Sequence, residues 1–297
     1  MKEAIDFVIA VLSLGSLYAL MALGLVLVYG ILRLVNFAYG ELIMISGYTL
    51  FLLNGSPLPW FIMAVLAVLA AIAASVLTER IAFRPIRDKS LTAMLITSFA
   101  VSTLLQSAAL LLISPRARVV PLPDAFSASI AVAGVVIQIR DILAIVVTLV
   151  MLGTLTLTLN RTVLGIALRA AADNFKMTRL LGVPANLIIS TAFAISGLLA
   201  GTVALFWLGR TASVTPGIGL EPLIVAFVAT VLGGLNSLVG SVVGGYVLAL
   251  MTVGINLFLP QGFVDYRQAF TFGLVILTLL IRPEGLIRSK AGRPHRV

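Results

Sequence analysis

Three stretches of this chain, Phe7 to Leu32, Leu42 to Thr78 and Pro222 to Val264, hold no Asp, Glu, Lys, Arg or His. A bilayer-spanning helix takes about 20 apolar residues, so every one of these runs can cross a membrane. The second and third are too long for one helix and must fold back, at NGSPLP (54–59) and at GGLNSLVGS (233–241). In hydrocarbon only helices and closed barrels satisfy the backbone. The runs are continuous rather than alternating apolar and polar, which argues against a barrel. Composition agrees: 61% of residues are hydrophobic and 10% charged, against about 25% charged in ordinary globular domains. The expected fold class is an all-α polytopic integral membrane protein.

Apolar segments fall at 5–32, 38–53, 60–78, 91–113, 141–160, 186–208, 222–236, 240–259 and 268–281. About nine transmembrane helices with short loops are expected, eight to ten if the short second or seventh segment is a half-crossing. Basic residues gather in three places: Arg80, Arg84, Arg87 and Lys89; Arg161, Arg169, Lys176 and Arg179; and Arg282, Arg288, Lys290, Arg293 and Arg296 in the tail. With Arg33 they hold most of the 20 Lys and Arg on one side. The positive-inside rule makes that side cytoplasmic, with the N-terminus outside and the C-terminus inside. Lys2 is followed closely by Glu3 and Asp6, and the first run exceeds the roughly 7–15 residues of a signal core. It is read as a retained helix. The longest external loop, 114–140, carries SASIAVAGVVIQI, whose alternation suggests a small hairpin. No loop is large enough for a soluble domain, so residues 1–297 are expected to form a single transmembrane domain.

The chain has no cysteine, and its one histidine, His295, lies in the basic tail. Thiolate metal sites, cysteine nucleophiles and histidine catalysis within the membrane are therefore not expected, and no catalytic residue, metal ligand or cofactor site is assigned. The net charge of +9 sits at the ends of apolar runs, the pattern of cytoplasmic loops rather than of a nucleic-acid partner. No G-x-x-x-x-G-K-[ST] phosphate loop occurs; if transport is ATP-driven, another subunit binds the ATP.

The loop RTVLGIALRAAADNFKMTRLLGVP (161–184) reads as a short amphipathic helix with Leu164, Leu168, Ala172 and Phe175 on one stripe. Arg169 and Asp173, and Asp173 and Lys176, have the spacing of side-chain pairs, and Gly182 and Pro184 mark the stop. It suits a solvated helix on the membrane face or one docking on a cytoplasmic partner. Gly197-x-x-x-Gly201 and Gly240-x-x-x-Gly244 permit close helix approach. Asn36-x-x-x-Gly40 and Asn236-x-x-x-Gly240 form a weak internal echo.

Five ordered blocks resemble the permease subunits of bacterial branched-chain amino acid ABC transporters, the LivH type in particular. They are LGSLYALMALGLVLVYGILRLVNFAYGELIMISGY (14–48), ERIAFRPIRDKS (79–90), LGIALRAAADNFKMTRLLGVPANLI (164–188), VLGGLNSLVGSVVGGYVLAL (231–250) and RPEGL (282–286). The resemblance implies a permease subunit of an ATP-driven importer that is not itself an enzyme, moving a small-molecule substrate, branched-chain (hydrophobic) amino acids, through the inner membrane. Its partners would be a homologous second permease, two cytoplasmic ATP-binding subunits and an extracytoplasmic substrate-binding protein. It also implies coupling to the ATPase through Arg169, Asp173, Lys176 and Gly182. The same motifs occur in urea or short-amide importers. A stand-alone ion-coupled carrier fits less well, since the long uncharged runs leave it few ionisable groups.

Candidate residues for the translocation path are Asn36, Glu41, Ser46 and Asn236. For Glu41 two readings stay open. In one, Asn36 caps a helix at a tight cytoplasmic turn, with Glu41 in or just past the first turn and Arg33 as a possible partner. In the other, Glu41 belongs to a polar cluster at the inner mouth of the path.

Overall fold

The computed structural model describes residues 2–87, 89–120, 122–123, 126, 128–132, 135–173, 175–235, 237–283 and 285–287. Among them eleven α-helices dominate: α1 (Lys2–Leu32), α2 (Tyr39–Leu53), α3 (Trp60–Thr78), α4 (Leu91–Leu112), α5 (Ile139–Arg161), α6 (Val163–Asp173), α7 (Phe175–Leu180), α8 (Ala185–Thr211), α9 (Leu220–Gly233), α10 (Leu238–Phe258) and α11 (Arg267–Ile281). Setting aside α6 and α7, which occupy the basic loop, the other nine coincide with the nine apolar segments of the sequence.

Six of the nine (α1, α3, α4, α5, α8 and α10) are long and apolar enough to cross a membrane. The remaining three are short, with 15 residues in α2, 14 in α9 and 15 in α11. At 1.5 Å per residue each covers only about 21–22 Å of a hydrocarbon layer about 30 Å thick.

Two helices form the centre, with 83% of the membrane window of α1 and 67% of that of α8 buried by the rest of the chain. Helices α8, α9, α10 and α5 pack around α1, while α3 and α2 pack on α8. Since lipid tails are as apolar as leucine, close packing and interhelical hydrogen bonds hold such helices together. Ser196 of α8 donates to the Gly24 carbonyl of α1 at 2.8 Å, and Ser75 of α3 donates to the Phe193 carbonyl of α8 at 2.6 Å. Thr230 of α9 donates to the Ala226 carbonyl at 2.6 Å and reaches the Ala22 carbonyl of α1 at 3.3 Å.

At the basic end, a five-residue π turn (Glu79–Phe83) closes α3. Its fully buried Glu79 pairs with Arg84 at 3.3 Å and accepts from the Ser190 hydroxyl of α8 at 2.6 Å. The RPEGL segment returns to this end, where the Leu286 and Ile287 N–H groups donate to the Leu232 and Gly233 carbonyls at the end of α9. Four carbonyls at a helix end lack intrahelical donors, and these two bonds satisfy two of them.

At the opposite end, Asp141 accepts from Ser13 at 2.6 Å and pairs with Arg210 at 3.0 Å, joining α1, α5 and α8. The long loop there contains the hairpin that the alternation suggested, β2 (Ser129–Val132) paired antiparallel with β3 (Val135–Gln138). A two-residue strand, β1 (Arg118–Val119), pairs with β4 (Ser213–Val214).

Glu79→Ala should leave Arg84 without its carboxylate and the Ser190 hydroxyl without its acceptor. The expected cost is about 2 kcal/mol, read as a lower thermal unfolding midpoint of the detergent-solubilised protein; Ser190→Ala should cost less.

Candidate functional site

After α1 the chain does not turn at the membrane surface. Arg33 takes a left-handed conformation (φ 56°), and residues 34–38 carry the chain inward without regular helix. The neighbours record the descent along α4. Leu34 packs in one cluster with Met94, Phe37 stacks on Phe99 with ring centroids 3.9 Å apart, and Glu41 meets Ser102 and Gln106. Ser102 is close to the midpoint of α4, a full-length span of 22 residues. Helix α2 therefore starts deep in the apolar layer and runs to the end opposite the basic one.

This corrects the placement of Glu41 near the cytoplasmic surface. A run of apolar residues shows where a chain can enter hydrocarbon, but not how far it travels before helix begins. Asn36 is not the N-cap either. Ala38 occupies that position, without a side-chain cap bond, and the Asn36 Oδ1 accepts from the Ala38 N–H at 3.1 Å, closing a small turn within the descent. Nor does Arg33 stand in as the neighbour of Glu41, because its Nη2 donates to the Ala172 carbonyl of α6 at 2.8 Å.

Glu41 is 1% exposed. Its Oε1 accepts from the Ser102 hydroxyl at 2.9 Å and the Gln106 amide at 2.7 Å, while Oε2 has no partner. It lies in the first turn of α2, where the helix dipole favours negative charge. Tyr39 fits against Gly24 of α1, where an added Cβ would lie 2.4 Å from the phenol oxygen. Backbone meets backbone between Gly40 and Gly219, so that a Cβ on Gly40 would sit 2.2 Å from the Gly219 carbonyl oxygen. The starts of two short helices, α2 and α9, thus touch inside the protein, through two residues without side chains. The Tyr39 Oη, and the Ser46 Oγ and Tyr48 Oη farther along α2, are buried with no hydrogen-bond partner.

Of the path candidates, then, Asn36, Glu41 and Ser46 are all buried within this chain, and Asn236 lies outside the described residues. Ser102 and Gln106 are the site residues that sequence reasoning missed. They sit 61 and 65 residues from Glu41, and their one local signal is that Ser98, Ser102 and Gln106 follow at intervals of four on a lipid-length helix. The echo at Asn36 and Asn236 joins unlike settings, since Gly40 lies deep at the start of α2 whereas Gly240 lies in the first turn of α10 against the Gly233 carbonyl.

The glycine pairs face neighbouring helices of the same chain. A Cβ on Gly197 or Gly201 would lie 2.8–2.9 Å from backbone atoms of α3, and one on Gly244 would lie 2.1 Å from the Ala229 carbonyl of α9. In the basic loop, two helices replace the single amphipathic one. Of the apolar stripe, Leu168 is buried in the main core, beside Ala171, whereas Leu164 is 43% exposed. Other residues are left farther outward, with Val163 82%, Leu180 80% and Leu181 82% exposed. Arg169 turns back to α5, donating to the Leu159 carbonyl and to the Asn160 Oδ1. Gly182 takes φ 83° and ends α7. The side chains of Asp173 and Lys176 lie outside the described residues.

Residues 7–279 match the family described as "Branched-chain amino acid transport system / permease component". The chain is 38% identical to the high-affinity branched-chain amino acid transport system permease protein BraD of Pseudomonas aeruginosa, over 96% of this chain and 94% of the relative. It is 32% identical to the corresponding protein LivH of Escherichia coli K12, over 95% of this chain and 94% of the relative. A probable branched-chain amino acid transport permease protein LivH of Methanocaldococcus jannaschii is 29% identical over 92% and 89%. No solved structure gives a significant match.

Gln106→Leu should remove one of the two donors to a buried carboxyl group and lower the yield of folded protein, at a cost of about 1–3 kcal/mol. Combining it with Glu41→Leu should recover part of that loss, because an apolar pair leaves no orphan. Size-exclusion profiles and melting of the four proteins of this double-mutant cycle measure the coupling.

Proposed function

Since the chain belongs to the branched-chain amino acid transport system permease family, we propose that it is the membrane-spanning subunit of an ATP-driven importer for branched-chain amino acids. The observation that carries this is end-to-end similarity to BraD in a chain without a phosphate-binding loop. In this reading the subunit is not catalytic. It works in the inner membrane with a homologous second permease, two cytoplasmic ATP-binding subunits and an extracytoplasmic binding protein.

The orientation puts the basic end in the cytoplasm. Arg33, Arg84, Arg87 and Arg169 all bond to neighbours at that end, which supports it. The N-terminus is then outside and the C-terminus inside.

Coupling is assigned to α6 and α7, with Arg169, Asp173, Lys176 and Gly182 in the region that meets the ATP-binding subunit. Supporting this, α6 is fixed to the bundle from behind. Arg169 holds α6 to α5, Arg33 holds it to α1, and Leu168 is buried in the core. A push on the outward residues Val163 and Ile166 of α6 would therefore reach the central helix. The translocation path is assigned to the region where α2 and α9 meet. Alternating access would separate the helices packed around Glu41 and expose its unpartnered oxygen to one side at a time.

In proteoliposomes, leucine uptake should require ATP and all the partner subunits. Uptake by this chain alone on an ion gradient would refute the assignment. Asp173→Arg combined with Lys176→Glu should weaken co-purification of the ATP-binding subunit and lower uptake at least about tenfold; normal values of both would overturn the coupling role.

A further inference from the structure

On the outer half of the bundle, the first turns of α9 and α11 face each other across a cavity of about 400 Å³. Its floor is α10 and the Tyr18 side chain of α1. Thr252, on that floor, lies six residues from the end of α10 at Phe258, so the cavity reaches roughly 9 Å below that helix end. Its wall carries charge of both signs, with Glu221 on α9 and Arg267 on α11.

The Glu221 position is unusual. It is exposed on a face of α9 shared with the exposed, apolar Leu220, Ile224 and Phe227. A carboxylate at this depth does not face acyl chains, so this flank of the chain borders water or protein. The Gln268 amide of α11 approaches the Glu221 Oε1 at 3.4 Å, a long bond that a closer cation would replace. The hydroxyls of Thr252 and Thr271 donate to carbonyls of their own helices; Thr252 also bonds the Tyr18 phenol, and Thr271 keeps lone pairs to accept. Apolar walls come from Ile224, Leu248 and Phe272.

We propose that this cavity is a binding site for an α-amino acid zwitterion with an aliphatic side chain. The ammonium group pairs with Glu221, the carboxylate with Arg267, and the side chain lies against Ile224, Leu248 and Phe272. The volume falls in the range of small-molecule sites, about 300–1,000 Å³. An α-amino acid presents the three complements at once, an ammonium, a carboxylate and an aliphatic chain. The site lies level with and just inward of the contact of α2 with α9, along the same helix α9 whose start touches Gly40. It rests on the reading of this chain as an amino acid permease and adds where the substrate stops on its way in.

The test uses the complete importer in proteoliposomes, with binding protein and ATP. A diazirine analogue of leucine should label peptides of α9 or α11 on irradiation, and excess leucine should abolish the label. Glu221→Gln should assemble with its partners yet lower leucine uptake at least about tenfold, the loss expected of a charge-assisted contact. Ile224→Trp, which narrows the cavity, should lower uptake of leucine more than that of alanine. Labelling confined to other segments overturns the proposal, as do wild-type uptake and an unchanged leucine-to-alanine ratio in both variants. If either variant fails to assemble, labelling of the wild-type complex decides. Absence of leucine uptake by the wild-type complex would instead refute the permease reading, and this site with it.

Discussion

Inside hydrocarbon a backbone N–H or C=O has no water to bond, and each one left unsatisfied costs several kcal/mol. That constraint explains the long helices, and it makes the non-helical passage after α1 informative. Residues 34–38 cross into the apolar layer without a helix's internal bonds. They are tolerated because protein surrounds them: Leu34 lies with Val28, Phe83, Met94, Ile189 and Phe193 from α1, α4, α8 and the π turn, and Asn36 supplies the local acceptor for Ala38. Irregular backbone at membrane depth occurs where protein buries it or where it lines a cavity, and here the first condition is met.

From that passage follows the polar centre. Starting α2 deep places Tyr39, Gly40 and Glu41 where an ordinary hairpin of two full helices would have put apolar side chains. The carboxyl of Glu41 then needs donors from another helix, and α4 supplies Ser102 and Gln106. Helix α4 is otherwise the least buried of the six long helices, with 17% of its window covered by the chain. Its attachment to the bundle near its midpoint runs through these two bonds and the Phe37–Phe99 stack. The pair of short helices meeting at Gly40 and Gly219 has a wider sense. Discontinuous helices in transporters bring partial charges of helix ends to mid-membrane sites, and the fold places two such starts beside an unpartnered carboxyl oxygen.

The two ends of the molecule differ in kind. At the basic end α6 is tied to α5 and α1, and α7 leaves Leu180 exposed. On the outer half, α9 and α11 hold opposite charges around a cavity. The central helix α1 touches both regions, through Arg33 at one end and Tyr18 within the bundle. A rigid helix in contact with each is a direct mechanical route between them.

Much of this protein was legible without coordinates. Uncharged runs determined the class and the nine apolar helices, because hydrocarbon excludes charge and demands helix. Clustered arginines marked which loops share a side. Alternation in 128–138 announced the hairpin, and Gly182 announced the end of α7, where the structure gives it a left-handed φ. What only the tertiary structure decided was depth and partnership. Whether Glu41 sat at the surface or at mid-membrane depended on how far residues 34–38 travel before α2 begins. That distance is set by packing against α4 and α1, not by the residues themselves. Likewise the stripe of Leu164, Leu168, Ala172 and Phe175 did not reveal that the chain's own core takes Leu168 and leaves Leu164 exposed. Glu221 and Arg267 stand far apart in the chain, and only the antiparallel return of α10 brings their helices together. Periodicity along a sequence records which face of a helix is apolar; which neighbour that face meets is a property of the assembled bundle.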